Sequence, residues 1–277
     1  MNFSLNPKDW ARNSVIDENG QPKENLQRVI EKAIEIQRPF VVKKVRELRA
    51  KRPNETPEQT LKRLEDIYMR TVTVGGAAVG ATAFVPGIGT AAALGFSAAA
   101  TVGFLEASAV YAQAVAEIHG VQLRDPERAK ALVMAVMLGE DSSNMLAMLG
   151  AQATGRGRGP QEHWGKLLGQ SGQSGISGQI MSTLKRRFIT RFLTRQGAGF
   201  AGRLVPFGVG AAIGGAGNHM MGKSVVRAAR EAFGPAPTTI PGELAPDAAE
   251  IERAKQSGSG EGDGTDNATL TGPDAHR

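Results

Sequence analysis

Thr71-Val72-Thr73-Val74-Gly75-Gly76-Ala77-Ala78-Val79-Gly80-Ala81-Thr82-Ala83-Phe84-Val85-Pro86-Gly87-Ile88-Gly89-Thr90, continuing through Ala91 to Leu105, is the stretch whose reading decides the fold. It holds thirty-five residues without one charge, and seventeen of them are Gly or Ala. Small residues let backbones approach where bulky ones would hold them apart, so core volume here comes from helix packed on helix. Pro86, with Gly87 and Gly89 beside it, breaks the run into two arms. As helices, Thr71–Val85 reaches about 22 Å and Ile88–Leu105 about 27 Å, against a hydrocarbon thickness of about 30 Å. A hairpin that dips part-way into a membrane suits those lengths better than two full spans. The same residues also suit the packed centre of a soluble helical protein, and the pattern leaves both readings open.

Working outward, the flanks read as helices separated by clear punctuation. Leu26, Val29, Ile30, Ala33 and Ile34 recur at three-and-four spacing and define one apolar face from about Asn25. Pro39 kinks or ends that helix, and Phe40 to Arg52 resumes it with a basic surface of Lys43, Lys44, Arg46, Arg49, Lys51 and Arg52. Thr56-Pro57-Glu58-Gln59 has the form of a capping box with proline at the first helical position. The helix it opens, with Leu61, Leu64, Ile67 and Tyr68 inward, runs into the first arm. The second arm extends from Thr90 to Glu117 or His119 and stops at Gly120, which tolerates the left-handed conformation. Asp125-Pro126-Glu127 starts a further helix to Gly139, and Asp141 or Ser142 a short one through Leu149. Residues 154–179, rich in Gly, Ser, Gln and Arg, read as a flexible insert.

After the insert comes a basic amphipathic helix, about Ile180 to Arg195. Leu184, Phe188 and Phe192 sit at four-residue spacing, and Lys185, Arg186, Arg187, Arg191 and Arg195 lie elsewhere on it. A second uncharged stretch, Leu204 to Gly222, is broken at Pro206, and a final helix from Val225 to Phe233 ends at Gly234-Pro235. The fold class expected is mainly α: a helical bundle with two Gly/Ala-rich apolar hairpins and disordered termini. Its divisions are a flexible arm over 1–24, a helical domain over 25–235, and a disordered acidic tail over 236–277. Paired broken segments can mark a duplication, but any two Gly-rich turns look alike.

Charge and composition narrow the function. The net charge of +6 divides into −5 on residues 232–277 and +11 on residues 1–231, and His163 to Arg230 carries ten Lys or Arg and no acid. Such a block favours an anionic partner, with a solvated basic face as the plain alternative. Nucleic acid fits less well than a membrane surface, because aromatic platforms beyond Phe188 and Phe192 are missing. The absence of cysteine excludes disulfides, thiolate metal sites and cysteine nucleophiles. Met1 to Trp10 lacks a basic region followed by an apolar one, so no signal peptide is expected.

Gly217-Asn218-His219-Met220-Met221-Gly222-Lys223-Ser224 satisfies the phosphate-loop pattern GxxxxGKS letter for letter. That chemistry needs a strand before the loop and an acid on a later strand, and neither is legible, so nucleotide binding stays a remote alternative. Gly76 and Gly80, and Gly210 and Gly214, share GxxxG spacing and are candidates for close helix packing, together with the breaks at Pro86, Gly87, Gly89 and Pro206. Glu106, Gln113 and Glu117 form one helical stripe, read as a water-facing side in preference to a cation or proton site. The four histidines are too scattered for a metal pair. Met134, Met137, Met145 and Met148 read as core in preference to a partner surface. No catalytic set, cofactor site or metal site emerges.

The run Phe84-Val85-Pro86-Gly87-Ile88-Gly89-Thr90 resembles the EcsC protein family. So do Phe104-Leu105-Glu106-Ala107, Ala116-Glu117-Ile118-His119-Gly120, Asp125-Pro126-Glu127-Arg128 and Val136-Met137-Leu138-Gly139. Leu204 to Gly210, Gly214 to Asn218 and Val226 to Arg230 continue the likeness, which covers about residues 25–235 and is nearest in character to actinobacterial members. The resemblance implies a bacterial protein with a role accessory to an ABC transporter or another membrane process, since the founding member is encoded beside such a transporter. It carries over no catalytic residue, and the family often has Arg where Lys223 stands here. The function expected is therefore a non-enzymatic, membrane-associated helical protein on the cytoplasmic side of the membrane. Lys185, Arg186, Arg187, Arg191 and Arg195 would contact anionic lipid, with a membrane protein complex or self-association as further partners. The alternative is a soluble cytoplasmic interaction or scaffold module.

Overall fold

The punctuation in the sequence becomes the punctuation of the fold. In the computed structural model, which describes residues 24–82, 90–139, 181–191 and 209–258, Gln59 N–H donates to Thr56 Oγ1 at 3.2 Å and Thr56 N–H to Gln59 Oε1 at 2.9 Å. This reciprocal pair opens helix α3. Asp125 Oδ1 accepts the Glu127 N–H at 3.0 Å and opens α5. Gly120, Gly139 and Gly234 have φ of 79°, 73° and 75°, a conformation costly for any side chain, and each ends a helix.

The chain is mainly helical, with no strand among the described residues. In order the helices are α1 Glu24–Ala33, α2 Arg38–Lys51, α3 Pro57–Thr82, α4 Thr90–Ile118 and α5 Pro126–Leu138. They are followed by α6 over 181–191, α7 Val209–Phe233, a single 3-10 turn Gly242–Leu244, and α8 Ala248–Gly258. Pro39 falls in the first turn of α2, where its missing N–H costs nothing, so the break precedes it.

α4 is the central helix, touching α1, α2, α3, α5 and α7. From Phe104 to Ile118 nearly every residue is buried, including Leu105, Val110, Tyr111 and Val115. A helix apolar on all sides has no solvent face to keep, and its place is the middle of a bundle. Ile30 and Ala33 of α1, Ile34 just after it, and Leu64, Ile67 and Tyr68 of α3 pack into the same core, whereas Val29 is exposed. Met134 and Met137 are core residues, as read.

α7 lies antiparallel on α3. Gly215 meets Ala77, Asn218 and Gly222 meet Val72, His219 meets Thr73, and Arg230 meets Glu65. A Cβ at Gly215 would lie 3.4 Å from Ala77 Cβ, and one at Gly222 only 2.9 Å from Val72 Cγ2. Gly215, Gly222 and Ala229 recur every seven residues and all are buried, which gives one close seam between the two helices.

The expectation of a disordered tail from residue 236 fails over 236–258. Leu244 is buried, and Arg49 donates to its carbonyl at 2.7 Å. Asp247 and Glu250 build a capping box at the start of α8, with N–H to carboxylate distances of 2.9 and 2.7 Å. Arg46 holds both carboxylates, at 3.2 Å to Asp247 and 2.9 Å to Glu250. Too polar to order itself, the strap is ordered by the arginines of α2. The sequence readings over 1–23, 83–89, 140–180, 192–208 and 259–277 lie outside the described residues.

Candidate functional site

Two features stand out: a buried charge cluster at one end of α4, and an uncharged end of the bundle at the other.

The charge cluster begins with the stripe on α4. Gln113 is 1% exposed and Glu117 3%, so the reading of this stripe as water-facing is overturned. Arg38 Nε and Nη2 donate to the two Glu117 oxygens at 2.7 and 2.8 Å, and Glu117 Oε1 also accepts the Leu123 N–H at 3.2 Å. The outer edge of the same guanidinium meets Glu243 of the strap at 2.9 and 2.8 Å. Arg38 is therefore held in its charged form, its pKa raised first by the hydrogen bond to Glu243 and then by that to Glu117. The Glu243 carboxyl is held below its ordinary range by the same contact. The cation that Glu117 binds is thus the chain's own arginine, and the cluster clasps α2, α4 and the strap together. Among the described residues no group of three metal-ligating side chains occurs.

Further along α4, Tyr111 and Tyr68 stack with ring centroids 4.5 Å apart, and Tyr68 Oη shares a hydrogen bond with Ser108 Oγ at 2.9 Å. Burial pushes both phenols up, Tyr68 and Tyr111 alike. Glu65 faces Tyr111 and accepts from Arg230 Nε at 2.7 Å.

The uncharged end follows from register. Tyr68 of α3 is level with Ser108 and Tyr111 of α4, and Val72 with Asn218 and Gly222 of α7. Arg70, Glu106 and Lys223 therefore stand at one level, to within about a helical turn of 5.4 Å. They are the last charged residues on their helices before the end of the bundle. Beyond them run 71–82 of α3, 90–105 of α4 and 209–222 of α7, without an acid, Lys or Arg. At 1.5 Å per residue these segments measure about 18, 24 and 21 Å.

Two polar pairs on this end run between helices: Thr73 Oγ1 with His219 Nδ1 at 3.1 Å, and Asn218 Nδ2 with the Val72 carbonyl at 3.1 Å. One residue past the Thr73–His219 bridge on each antiparallel helix come Val74, 65% exposed, and Met220, 73% exposed. A step of one residue turns both helices to the same side, so these two share a face. Lys62, Arg70, Lys223 and Arg227 are exposed and enter no hydrogen bond or ion pair among the described residues.

Of the residues singled out in the sequence, Gly76 is buried within α3, Gly80 lies in α3, and Gly210 and Gly214 lie in the first turns of α7. The close contacts among the described residues are at Gly222, where a Cβ would lie 2.9 Å from Val72 Cγ2, and more loosely at Gly215, neither of which the GxxxG spacing selected. Pro86, Gly87, Gly89, Pro206 and Arg195 fall outside the described residues. On α6, Leu184, Phe188 and Ile189 are buried, Lys185 pairs with Glu31 at 2.5 Å, and Arg186, Arg187 and Arg191 are exposed. The apolar face of this basic helix is therefore spent on the protein's own core. The phosphate-loop match at 217–224 lies wholly inside α7, where the backbone N–H groups are turned along the helix and form no loop around a phosphate. The nucleotide-binding alternative falls with it.

No family model, curated protein or solved structure matches the chain. Among the described residues no helix is long and apolar enough to cross a membrane.

Proposed function

We propose that this is a non-enzymatic helical protein of the membrane surface. It rests on the cytoplasmic side and dips the uncharged end of α3, α4 and α7 into the bilayer, in an EcsC-type role accessory to a membrane process. The observation that carries the reading is the common level at which three helices lose every charge. Segments of about 18 to 24 Å are shorter than a hydrocarbon core of about 30 Å, which suits entry from one side without crossing. Interhelical pairing of Thr73, His219 and Asn218 supports it, since polar groups entering lipid need partners within the protein.

Magnitudes favour weak, reversible attachment. Burying Val74 and Met220 contributes about 1.5–3 kcal/mol each at best, and each basic residue near an anionic leaflet about 1 kcal/mol. Neither set anchors the protein alone; together they supply the two signals that stable attachment requires. Arg70, Lys223 and Arg227, unpaired among the described residues, stand where the headgroups would lie. Arg186 and Arg187 add only long-range charge, because their helix has no free apolar face.

Flotation of the full chain with vesicles tests the reading. It should float with vesicles containing phosphatidylglycerol, less with phosphatidylcholine alone, and lose flotation when Val74→Asp and Met220→Asp are combined at these exposed positions. Recovery only in the unbound fraction, at low and high salt alike, would overturn it. That outcome would favour a second reading, a soluble interaction module, which has its own support in the burial of Val72, Phe104 and Leu105 of the uncharged stretch within the protein.

A further inference from the structure

Below the level of Arg70, the flank of α3 carries an open groove of about 470 Å³. Arg63 and Ile67 form its buried side; Arg52, Lys62, Asp66 and Arg70 project around it. The volume lies in the range of about 300–1,000 Å³ common for small-ligand sites. Its lining selects by charge, because Ile67 is the one apolar side chain in it.

The charges do not cancel. Arg63 is neutralised within the protein: Glu55 Oε2 accepts its Nε at 3.0 Å and its Nη2 at 2.7 Å, and the Leu48 carbonyl accepts Nη2 at 2.5 Å. Arg52 reaches Glu55 only at 3.5 Å and is exposed. Lys62 and Arg70 have no partner among the described residues. Glu55 also lines the groove but is taken up by Arg63, so against these three cations stands only Asp66 among the remaining acids. Gln59 also lines the groove, and its carbonyl oxygen is occupied by the Thr56 N–H, which leaves the amide NH₂ as a donor. With Glu55 spent on Arg63, three cations and one neutral donor against a single remaining acid describe a site for a compact anion with several acceptor oxygens.

Position narrows the ligand further. Lys62, Asp66 and Arg70 follow one line along α3 at four-residue spacing, and the next member of the line is Val74. Arg70 thus belongs both to the groove and to the charged level that bounds the uncharged end, while Lys62 stands about 12 Å below it.

We infer that this groove binds a phosphate-bearing anion, held by Arg52, Lys62 and Arg70 and opposed by Asp66. Its depth below the headgroup level on the reading above admits two sources of the same chemistry, a phosphomonoester lipid headgroup and a free phosphate compound.

Two measurements on the full chain separate the sources. The soluble arm is calorimetric titration with pyrophosphate at low ionic strength, and uses no membrane. The lipid arm compares flotation with vesicles of equal charge density carrying phosphatidic acid or phosphatidylglycerol. In whichever arm binds, Lys62→Gln combined with Arg70→Gln should weaken affinity about tenfold, and Asp66→Asn should strengthen it about threefold, as expected for unit charges in a water-like medium. All three positions are exposed, and thermal melting confirms that the variants fold. Pyrophosphate binding with those shifts assigns a free phosphate ligand. A phosphatidic acid preference with those shifts, without pyrophosphate binding, assigns the lipid headgroup. Absence of pyrophosphate binding together with equal flotation on both lipids overturns the site, and so does binding that ignores all the substitutions. Failure of the membrane reading has a different signature: flotation lost on every composition, with pyrophosphate binding intact.

Discussion

Three glycines on one helix turn the α3–α7 seam into a measurement. Alanine is favoured over glycine by about 1 kcal/mol inside a helix, so Gly→Ala anywhere on α7 begins with that gain, and the local contacts decide the rest. At Gly217 a Cβ would meet nothing within 4 Å, so Gly217→Ala keeps the whole of it. At Gly215 the Cβ would lie 3.4 Å from Ala77 Cβ and 3.5 Å from the Thr73 carbonyl, a contact met by a small adjustment, and the result is close to neutral. At Gly222 it would lie 2.9 Å from Val72 Cγ2 and 3.0 Å from Met69 Sδ. Met69 can swing away; Val72, β-branched and buried, cannot change rotamer freely. Overpacking of this kind costs about 1–3 kcal/mol, which outweighs the helix gain by up to about 2 kcal/mol. Thermal melting of the full chain should rank Gly217→Ala above wild type, Gly215→Ala near it, and Gly222→Ala below it. The spacing is about 2–4 °C per kcal/mol for a protein near this size. Gly222→Ala melting at or above Gly217→Ala would refute the close seam.

Neighbouring positions on α4 should respond with opposite signs. Glu117→Ala leaves the inner edge of Arg38 unpaired while Glu243 still holds the outer one, and should destabilise by about 1–3 kcal/mol in denaturant unfolding. Gln113→Leu should stabilise by about 1 kcal/mol or more, because Gln113 Nε2 is buried without a hydrogen-bond partner among the described residues. Both tyrosines of the chain have pKa values raised by burial above the ordinary 10, so their contribution to stability is full below pH 10 and declines above it. An alkaline titration at 295 nm should accordingly show no phenolate until the chain unfolds, and then both groups together. Glu243 is shifted the other way, below its ordinary 4.5, so the strap's attachment holds above that value and weakens as pH falls through the lowered one. Hydrogen exchange over 236–258 should rise in acid before exchange in α4 does.

Local signals in the chain were legible because their partners are near in sequence. Thr56 and Gln59 are three residues apart, Asp125 and Glu127 two, and each helix-ending glycine acts on its own turn. Nothing local marks Glu117 as buried, because its partner Arg38 is 79 positions away; its spacing from Glu106 and Gln113 fits a solvated face equally well. The strap was misread for a related reason. Its composition is polar, and its order comes from Arg38, Arg46 and Arg49, roughly two hundred residues earlier. One signal could have found it: Asp247-Ala248-Ala249-Glu250 has capping-box spacing, as Thr56 to Gln59 has.

The same long-range pairing changes which cations are available to a partner. Counting Lys and Arg along the chain singles out α2 and α6 as the basic elements, yet Arg38, Arg46 and Arg49 are taken up by the strap and Lys185 by Glu31. Lys62, Arg70, Lys223 and Arg227, exposed and without a partner among the described residues, lie instead on α3 and α7, two of the helices that run into the uncharged end. Charge density in the sequence and free charge in the fold thus point to different faces. The unpaired cations on α3 and α7 adjoin exposed Val74 and Met220, whereas Arg186 and Arg187 on α6 adjoin an apolar face that is already buried. Attachment to an anionic surface needs both kinds of group on one side, and the α3–α7 face offers that pairing.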